Sequence, residues 1–314
     1  MATVFPRYTY NTLVLMFGVT IFSLTFGVST AWIMARVLFP GSFIFEWALL
    51  LPATVPAYII AYTYTDLLEF AGPVQGMLRD IFGWESSRDY WFPEIRSMGG
   101  AILVMSSVLY PYIYIMARTA FRLTPASYIE VARLSKSASP LKIDLSLARP
   151  AIIAGLALVL MEVLSDFGTV EFFAVETLTL GIFNIWLGMN NITAAAQIAG
   201  MAFIFILALL AMERWGRRRQ RFFDTKNQSL PLLPVRVSRG KSILCLCVCI
   251  IPLVLGFFIP VGILLSFVFK GYAITNFDLL FSASLNSIFV ALSAAMVIII
   301  VATILVNVSL FHDR

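Results

Sequence analysis

Long apolar runs alternate with shorter polar stretches along almost the whole chain. A helix needs about 20 mostly apolar residues to cross the hydrocarbon core of a bilayer, and about seven stretches reach that length. We label the predicted helices A (12–37), B (43–67), C (99–118), D (150–170), E (193–215), F (242–269) and G (286–311). Pro52 and Pro56 interrupt helix B, so we expect a kink there, with the freed carbonyl groups bonded by neighbouring helices. The pattern therefore predicts an all-α integral membrane protein.

The distribution of Lys and Arg orients these helices, because cytoplasmic loops carry an excess of both residues. The C–D connection is rich in them, and the E–F connection holds nine between Arg214 and Lys241. The B–C loop has no positive excess, and the D–E loop has neither residue. We therefore expect the first two connections in the cytoplasm and the other two outside. This topology puts the N-terminus outside and the C-terminus in the cytoplasm.

The composition excludes a water-soluble protein and several kinds of chemistry. Hydrophobic residues make up 60% of the chain and charged residues only 12%, whereas soluble domains carry roughly 25% charged residues. Cys245, Cys247 and Cys249 alternate along predicted helix F, so they cannot converge on one metal ion. His312 is the single histidine and lies at the extreme C-terminus, so we expect neither a His-based metal centre nor a Ser-His-Asp triad. We expect no catalytic residue, metal or cofactor, and no nucleic-acid partner.

The C–D connection is too polar to lie in lipid and is long for a turn between bundle helices. Residues 127–134 can form a short helix, with Pro125 just ahead of it. Such a helix suits docking into a groove of a partner protein. A solvated connector explains the same residues equally well.

The C–D segment resembles the EAA loop of ABC-transporter permeases, which reads Glu-Ala-Ala, three residues, Gly, and then a stretch ending near Leu-Pro. Glu130, Val131 and Ala132 fill the first triplet with one substitution, and LSLARPAI at 145–152 is similar to the usual LPLARPAI. Lys136 stands at the glycine of the motif, and the stretch after it is about three residues shorter than the family pattern.

The chain resembles more specifically the permeases of ferric-iron ABC importers, over nearly its whole length. The matching stretches are NTLVLMFGVTIFSLTFGVSTAWIMAR, EWALLLPATVPAYIIAYTYTDLLEFAGPVQ, DYWFPEIRSMGGAILVMSSVLYPYIYIMAR and LSDFGTVEFFAVETLTLGIFNIW. The resemblance implies the transmembrane-domain fold of a type I ABC importer in the inner membrane. It also implies an ATPase subunit bound at the coupling loop and a periplasmic substrate-binding protein at the outer loops. The coupling residues implied are Glu130, Val131, Ala132, Arg133 and Lys136.

The same resemblance divides the chain. Residues 1–216 are expected to form a first permease unit with the EAA-like loop at 121–150, residues 217–241 a basic cytoplasmic linker, and residues 242–314 the first two helices of a second unit. Permeases of this family have two fused halves, each with its own EAA loop. We therefore expect a chain truncated at both ends.

Three carboxylates belong to predicted membrane helices, and ionisable groups at membrane depth are costly and therefore suggest function. Glu162 and Asp166 share one face of helix D, and Asp66 shares a face of helix B with Tyr62. Oxygen ligands of this kind suit a hard cation, so we predict a translocation role for the three carboxylates. The alternative is that Asp66 and Asp166 are interfacial helix ends and that Glu162 pairs with a neighbouring helix.

Two packing expectations follow from spacing. Arg36 and Glu46 flank the short A–B turn and are expected to pair at the interface. The small-residue pairs Ala151/Gly155 and Ala196/Gly200 favour close helix contact, so we expect helices D and E to pack within a bundle.

Other functions stay open at this stage. A permease for thiamine or a phosphonate fits the same residues, and so does a truncated remnant that inserts without transporting. An ion-driven secondary transporter needs paired repeats with broken helices, and the sequence contains no evident pair.

Overall fold

The structure, a computed structural model, is built almost entirely from helices and describes residues 5–126, 140–218, 234–270 and 277–312. The helices are α1 Phe5–Arg36, α2 Ser42–Ala48, α3 Ala57–Leu68, α4 Pro73–Phe82, α5 Met98–Leu123, α6 Pro140–Ser165, α7 Gly168–Phe172, α8 Leu178–Phe183, α9 Ile192–Arg218, α10 Arg239–Leu253, α11 Ile259–Phe269 and α12 Phe277–His312. A 3₁₀ turn spans Leu51–Thr54, and π-helical segments span Asn184–Gly188 and Val254–Phe258. Two short strands, β1 Val37–Leu38 and β2 Val235–Arg236, pair in parallel.

The predicted all-α membrane fold is confirmed. Within the described ranges, six helical stretches are long and apolar enough to cross a bilayer, and the number is seven when the bent pair of helices is counted as one span. The spans correspond to the predicted helices A to G. The helix ends differ most at D, which was expected over 150–170. Its helix α6 begins at Pro140 and ends at Ser165, so the last part of the expected EAA-like loop forms its first turns.

Predicted helix B is broken rather than gently kinked. Ser42–Thr54 and Ala57–Phe82 meet at an angle of 88°, at the two prolines that lack a backbone N–H. The hydroxyl of Tyr110 on α5 donates to the Leu49 carbonyl at 2.9 Å. The hydroxyl of Tyr114 donates to the Glu46 carbonyl at 3.2 Å. A neighbouring helix therefore bonds carbonyl groups that the break leaves free, as lipid would require.

Helix α5 lies at the centre of the first unit, between α1 and α6. A Cβ atom on Gly27 of α1 would lie 2.7 Å from the Ile113 Cβ atom, and one on Gly155 of α6 would lie 2.8 Å from the Ile113 Cα atom. Both helices therefore approach α5 closely at the same residue. Gly155 makes its close contact with predicted helix C, and no atom comes within 4 Å of a Cβ placed on Gly200. Helices α6 and α9 do pack together, but Gly200 is not a close-contact position.

Packing divides the chain into two compact units, Met1–Leu264 and Leu265–Arg314. The π-helical segment after α10 belongs to the first unit, where a Cβ on Gly256 would overlap the Ser107 carbonyl oxygen. The Tyr64 hydroxyl donates to the Leu255 carbonyl in this segment at 2.7 Å. The packing boundary therefore lies beyond the linker at 217–241. The division into permease units inferred from the family resemblance stays a prediction.

The second unit consists mainly of α12. Its 36 residues give a length of about 54 Å at 1.5 Å per residue. None of the side chains in its membrane-spanning window is buried, and they are almost all apolar. Such a helix requires lipid or other protein around it.

Candidate functional site

The expected coupling residues Glu130, Val131, Ala132, Arg133 and Lys136 all lie outside the described residues. The structure does describe the two stems from which that loop emerges. These are the last turns of α5, ending at Leu123, and the first turns of α6, starting at Pro140. Both stems are held by buried or half-buried ion pairs.

A buried ion pair fixes the α6 stem to the end of α1. The Arg36 Nη2 and Nε atoms donate to the two Asp144 carboxylate oxygens at 2.6 Å and 3.0 Å. The Trp32 indole N–H also donates to Asp144, at 3.2 Å. The side chains of Arg36 and Asp144 are only 6% and 1% exposed. A fork of two parallel hydrogen bonds restricts rotation as well as distance, so the first turns of α6 and the last turn of α1 are tied in a fixed orientation.

Glu46 on α2 holds the α5 stem. Its carboxylate accepts a hydrogen bond from Arg118 and lies 3.3 Å from the Arg122 Nη1 atom. The Arg118 guanidinium also lies over the Tyr114 ring, with its Cζ atom 5.9 Å from the ring centroid. Glu46 therefore forms ion pairs with two arginines from successive turns of one stem.

The predicted ion pair between Arg36 and Glu46 is wrong. Arg36 pairs with the α6 stem, and Glu46 pairs with the α5 stem. We call Arg36, Asp144, Glu46, Arg118 and Arg122 the stem anchors. Arg36 and Glu46 both belong to the region that joins α1 to α2, so one short region holds both stems. The sequence contained a signal for this arrangement: Asp144 and Glu130 are the only acidic residues in the strongly basic 121–150 segment.

Asp166 has a structural role, whereas its translocation role stays a prediction. Its carboxylate accepts hydrogen bonds from the backbone N–H groups of Thr169 and Val170, at 2.8 Å and 3.3 Å. It also accepts one from the Thr169 hydroxyl, at 2.9 Å. These bonds hold the first turn of α7, in the way that an N-cap residue does. Burial raises the pKa of the Asp166 carboxyl above its ordinary value, and the three hydrogen bonds oppose that shift.

The structure does not bring the three predicted carboxylates into one cluster. Tyr58 and Tyr62 of α3 face Gly168 and Phe172 of α7, so the two helices run in the same direction. Asp66 lies eight residues beyond Tyr58 and is therefore displaced by about 12 Å along α3. Within the described ranges, no three Asp, Glu, His or Cys side chains are close enough to bind a metal ion.

Glu162 lies three residues before the end of α6, and its side chain is exposed. Tyr112 of α5 lies within electrostatic range of its carboxylate. Asp66 is also exposed, two residues before the end of α3. Exposed carboxylates near helix ends can contact water, lipid headgroups or a second protein.

Comparison with known proteins identifies relatives of this chain among transport permeases. No family model matches the chain. The chain is 28% identical over 240 residues to FbpB 2, an Fe(3+)-transport system permease protein of Haemophilus influenzae, covering 74% of the chain and 42% of that protein. The chain is a homologue of ABC-transporter permeases. It spans less than half the length of FbpB 2.

Other relatives of the chain are named for different transport systems. It is 27% identical over 217 residues to PhnU of Salmonella choleraesuis, a permease protein assigned to 2-aminoethylphosphonate transport, covering 67% of the chain and 74% of PhnU. It is 24% identical over 210 residues to the molybdenum transport system permease protein ModB of Escherichia coli, covering 64% of the chain and 88% of ModB. The relatives are transport permeases, and their substrates differ.

A solved structure supports the fold. The permease homologue matches a chain from a bacterial alginate ABC transporter, crystallised with an alginate-bound periplasmic protein, with a TM-score of 0.50 and 19% identity. The match covers 71% of this chain and 80% of the other. The fold predicted from the family resemblance is therefore confirmed, as is a multi-pass arrangement in the membrane.

Proposed function

We propose that this chain is the membrane subunit of an ABC importer, driven by ATP that a separate subunit hydrolyses. The observation that carries the proposal is the match of 74% of the chain to a permease of a ferric-iron transport system. We also propose that the ATPase binds the cytoplasmic coupling loop and that a periplasmic substrate-binding protein binds the outer loops. The membrane is the inner membrane, with the N-terminus outside and the C-terminus in the cytoplasm.

Ferric iron is the substrate that we propose. FbpB 2 combines the longest match and the highest identity among the three relatives described above. The exposed carboxylates Glu162 and Asp66 supply oxygen ligands, which a hard cation prefers, and Asp166 lies beside the helix end that Glu162 occupies. A phosphonate is the second candidate, because PhnU covers two thirds of the chain at nearly the same identity.

Uptake in a defined background tests the substrate. The full chain is expressed with its own ATPase and binding protein in cells that lack iron, phosphonate and molybdate importers. We expect uptake of radiolabelled ferric iron and none of 2-aminoethylphosphonate or molybdate. Uptake of either anion without iron would contradict the iron proposal but leave the importer proposal intact.

The carboxylates are tested in the same cells. We expect Glu162→Gln to reduce iron uptake while the amount of inserted protein is unchanged. Asp66→Asn tests the second exposed carboxylate. Asp166→Asn is less informative, because it also weakens the bonds to Thr169 and Val170. Unchanged uptake by Glu162→Gln and Asp66→Asn would remove these two residues from the pathway.

We propose that the stem anchors transmit movement of the ATPase from the coupling loop to the membrane helices. Glu130 lies between α5 and α6 in the sequence, so a force on the loop acts on both helices. Asp144 ties α6 to Arg36, and Arg118 and Arg122 tie α5 to Glu46, so both helices are linked to the region between α1 and α2. The packed helices then move as a body rather than through one flexible connection. The proposed permease division at 1–216, 217–241 and 242–314 puts this loop in the first unit.

Association with the ATPase tests the coupling loop. We expect Glu130→Lys to weaken co-purification of the ATPase, because it reverses the acidic residue at the EAA position, without changing membrane insertion. Glu85→Lys, in the B–C loop on the opposite side of the proposed topology, is the matched control. Equal ATPase recovery from both variants would remove Glu130 from the contact.

A further inference from the structure

A cavity of about 630 Å³ lies where the end of α1 meets the start of α10. The parallel pairing of Val37 with Val235 and of Leu38 with Arg236 holds its two walls together. Both walls lie at the ends of membrane spans, since α1 ends at Arg36 and the span that contains α10 begins at Arg239. The cavity is therefore at the depth where the polar headgroups of lipids lie.

The lining combines an apolar wall with a basic rim. Leu38, Phe39 and Val237 supply apolar surface, and Arg236 and Arg239 supply positive charge. Among the residues that the structure describes around this cavity, none is acidic. Arg236 and Arg239 are both exposed and make no ion pair within the described part of the chain. Two guanidinium groups without an ion-pair partner among the described residues, beside an apolar wall, suit an amphipathic anion.

Further hydrogen-bond donors face the same region. The hydroxyl-bearing residues Ser42 and Ser242 line the cavity. Helix α10 starts here, and the side chain of its N-cap residue Ser238 makes no capping hydrogen bond. The free N–H groups of a first helical turn favour an anion, and they add to the charge of the two arginines.

We propose that this cavity, the headgroup pocket, binds the phosphate of an anionic phospholipid. Arg236 and Arg239 contact the phosphate oxygens in the fork geometry that guanidinium groups favour. Leu38 and Val237 contact the glycerol and the first carbons of the acyl chains. The bound lipid joins the end of α1 to the start of α10. Basic pockets between membrane helices are a recognised kind of site for anionic lipids.

The preference of the protein for one lipid over another tests the headgroup pocket without a transport assay. The result therefore does not depend on whether the proposed transport function is correct. The full chain is reconstituted in phosphatidylcholine vesicles, and its association with spin-labelled phosphatidylglycerol is compared with that of spin-labelled phosphatidylcholine. We expect selectivity for phosphatidylglycerol that falls by about tenfold in Arg236→Gln/Arg239→Gln, because two charge-assisted hydrogen-bonding groups are lost.

Two further variants make the measurement specific. Arg88→Gln/Arg214→Gln removes the same charge away from the cavity and should keep the selectivity. Ser242→Glu puts an anion among the donors in the first turn of α10, where it suits the helix dipole, so it should fold and lose the selectivity. Selectivity that is absent from the unmodified chain, or unchanged in both pocket variants, would overturn the proposal. Displacement of the spin-labelled lipid by millimolar inorganic phosphate would identify a free-anion site instead.

Discussion

Burial decides what an ion pair contributes in this molecule. The pairs Arg36–Asp144 and Arg96–Glu69 have the same closest N–O distance, 2.6 Å. The first pair is 6% and 1% exposed, and the second is 52% and 43% exposed. Water screens the second pair and leaves it worth roughly 0–1 kcal/mol. The first pair is shielded, so the loss of one partner leaves a buried charge without compensation.

The substitution Asp144→Asn should therefore destabilise the protein by about 3–5 kcal/mol, the usual cost of breaking a buried pair from one side. The free energy of unfolding can be measured by titrating mixed micelles with a denaturing detergent. Glu69→Gln breaks the exposed pair and should change the free energy of unfolding by less than about 1 kcal/mol. Similar losses in the two variants would show that burial does not set the strength of these pairs.

The double substitution Arg36→Met/Asp144→Leu separates stability from coupling. An apolar pair of similar size often replaces a buried ion pair with little loss of stability. We expect this variant to insert and bind its ATPase but to hydrolyse ATP without proportionate transport, because the directional fork that orients α6 is gone. If the variant transports as much substrate per ATP hydrolysed as the unmodified protein, the Arg36–Asp144 pair contributes to stability alone.

At the scale of elements, close contact between helices depends on which glycine faces which neighbour. Gly155 and Gly200 both belong to small-residue spacings in membrane helices. Only the first meets a neighbouring backbone, because a Cβ atom on Gly155 would lie 2.8 Å from the Ile113 Cα atom and 3.1 Å from the Tyr112 carbonyl oxygen. A helix backbone cannot move away as a flexible side chain can, so a methyl group at Gly155 must separate α6 from α5.

The variant Gly155→Ala should lose about 1–3 kcal/mol of stability, as overpacking does in a close-packed interior. Gly200→Ala should lose none, since nothing lies within 4 Å of the new atom, and alanine favours the helix by up to about 1 kcal/mol. The free energy of unfolding of the two variants in mixed micelles tests these two expectations. A stability loss confined to Gly200→Ala would contradict the packing of α5 and α6.

At the scale of the whole molecule, the charge distribution and the hydrophobic pattern predict one arrangement in the bilayer. The first unit contains its own core around α1, α5 and α6. The second unit exposes the apolar side chains along its membrane-spanning window, which suits a helix surrounded by lipid or by further protein. The basic E–F connection and the B–C loop are predicted to lie on opposite sides of the membrane.

Labelling of single cysteines tests this topology. The three native cysteines are first replaced by serine, and Ser87 or Ser229 is then changed to cysteine. We expect an impermeant thiol reagent added outside to label position 87 in intact cells and to label position 229 only after the membrane is opened. External labelling of position 229 would reverse the orientation proposed here.

The sequence alone determined the membrane class, the places of the long apolar helices and the position of the break in helix B. Lipid offers the backbone no hydrogen bonds, so a long apolar run has almost no alternative to a helix, and Pro52 and Pro56 mark where that helix must fail. The family resemblance came from the same linear information. These features depend on residues that are near one another in the chain.

Only the tertiary structure decided which charges pair and which glycines matter. Arg36 is 108 residues from Asp144, and its sequence neighbour Glu46 bonds to Arg118 and Arg122 instead. Both choices depend on how α1, α5 and α6 pack, and spacing along one helix contains no information about the side chains that another helix presents. The length of an apolar run fixes which residues form each span, whereas the partner of a buried charge is fixed by the geometry of the assembled bundle.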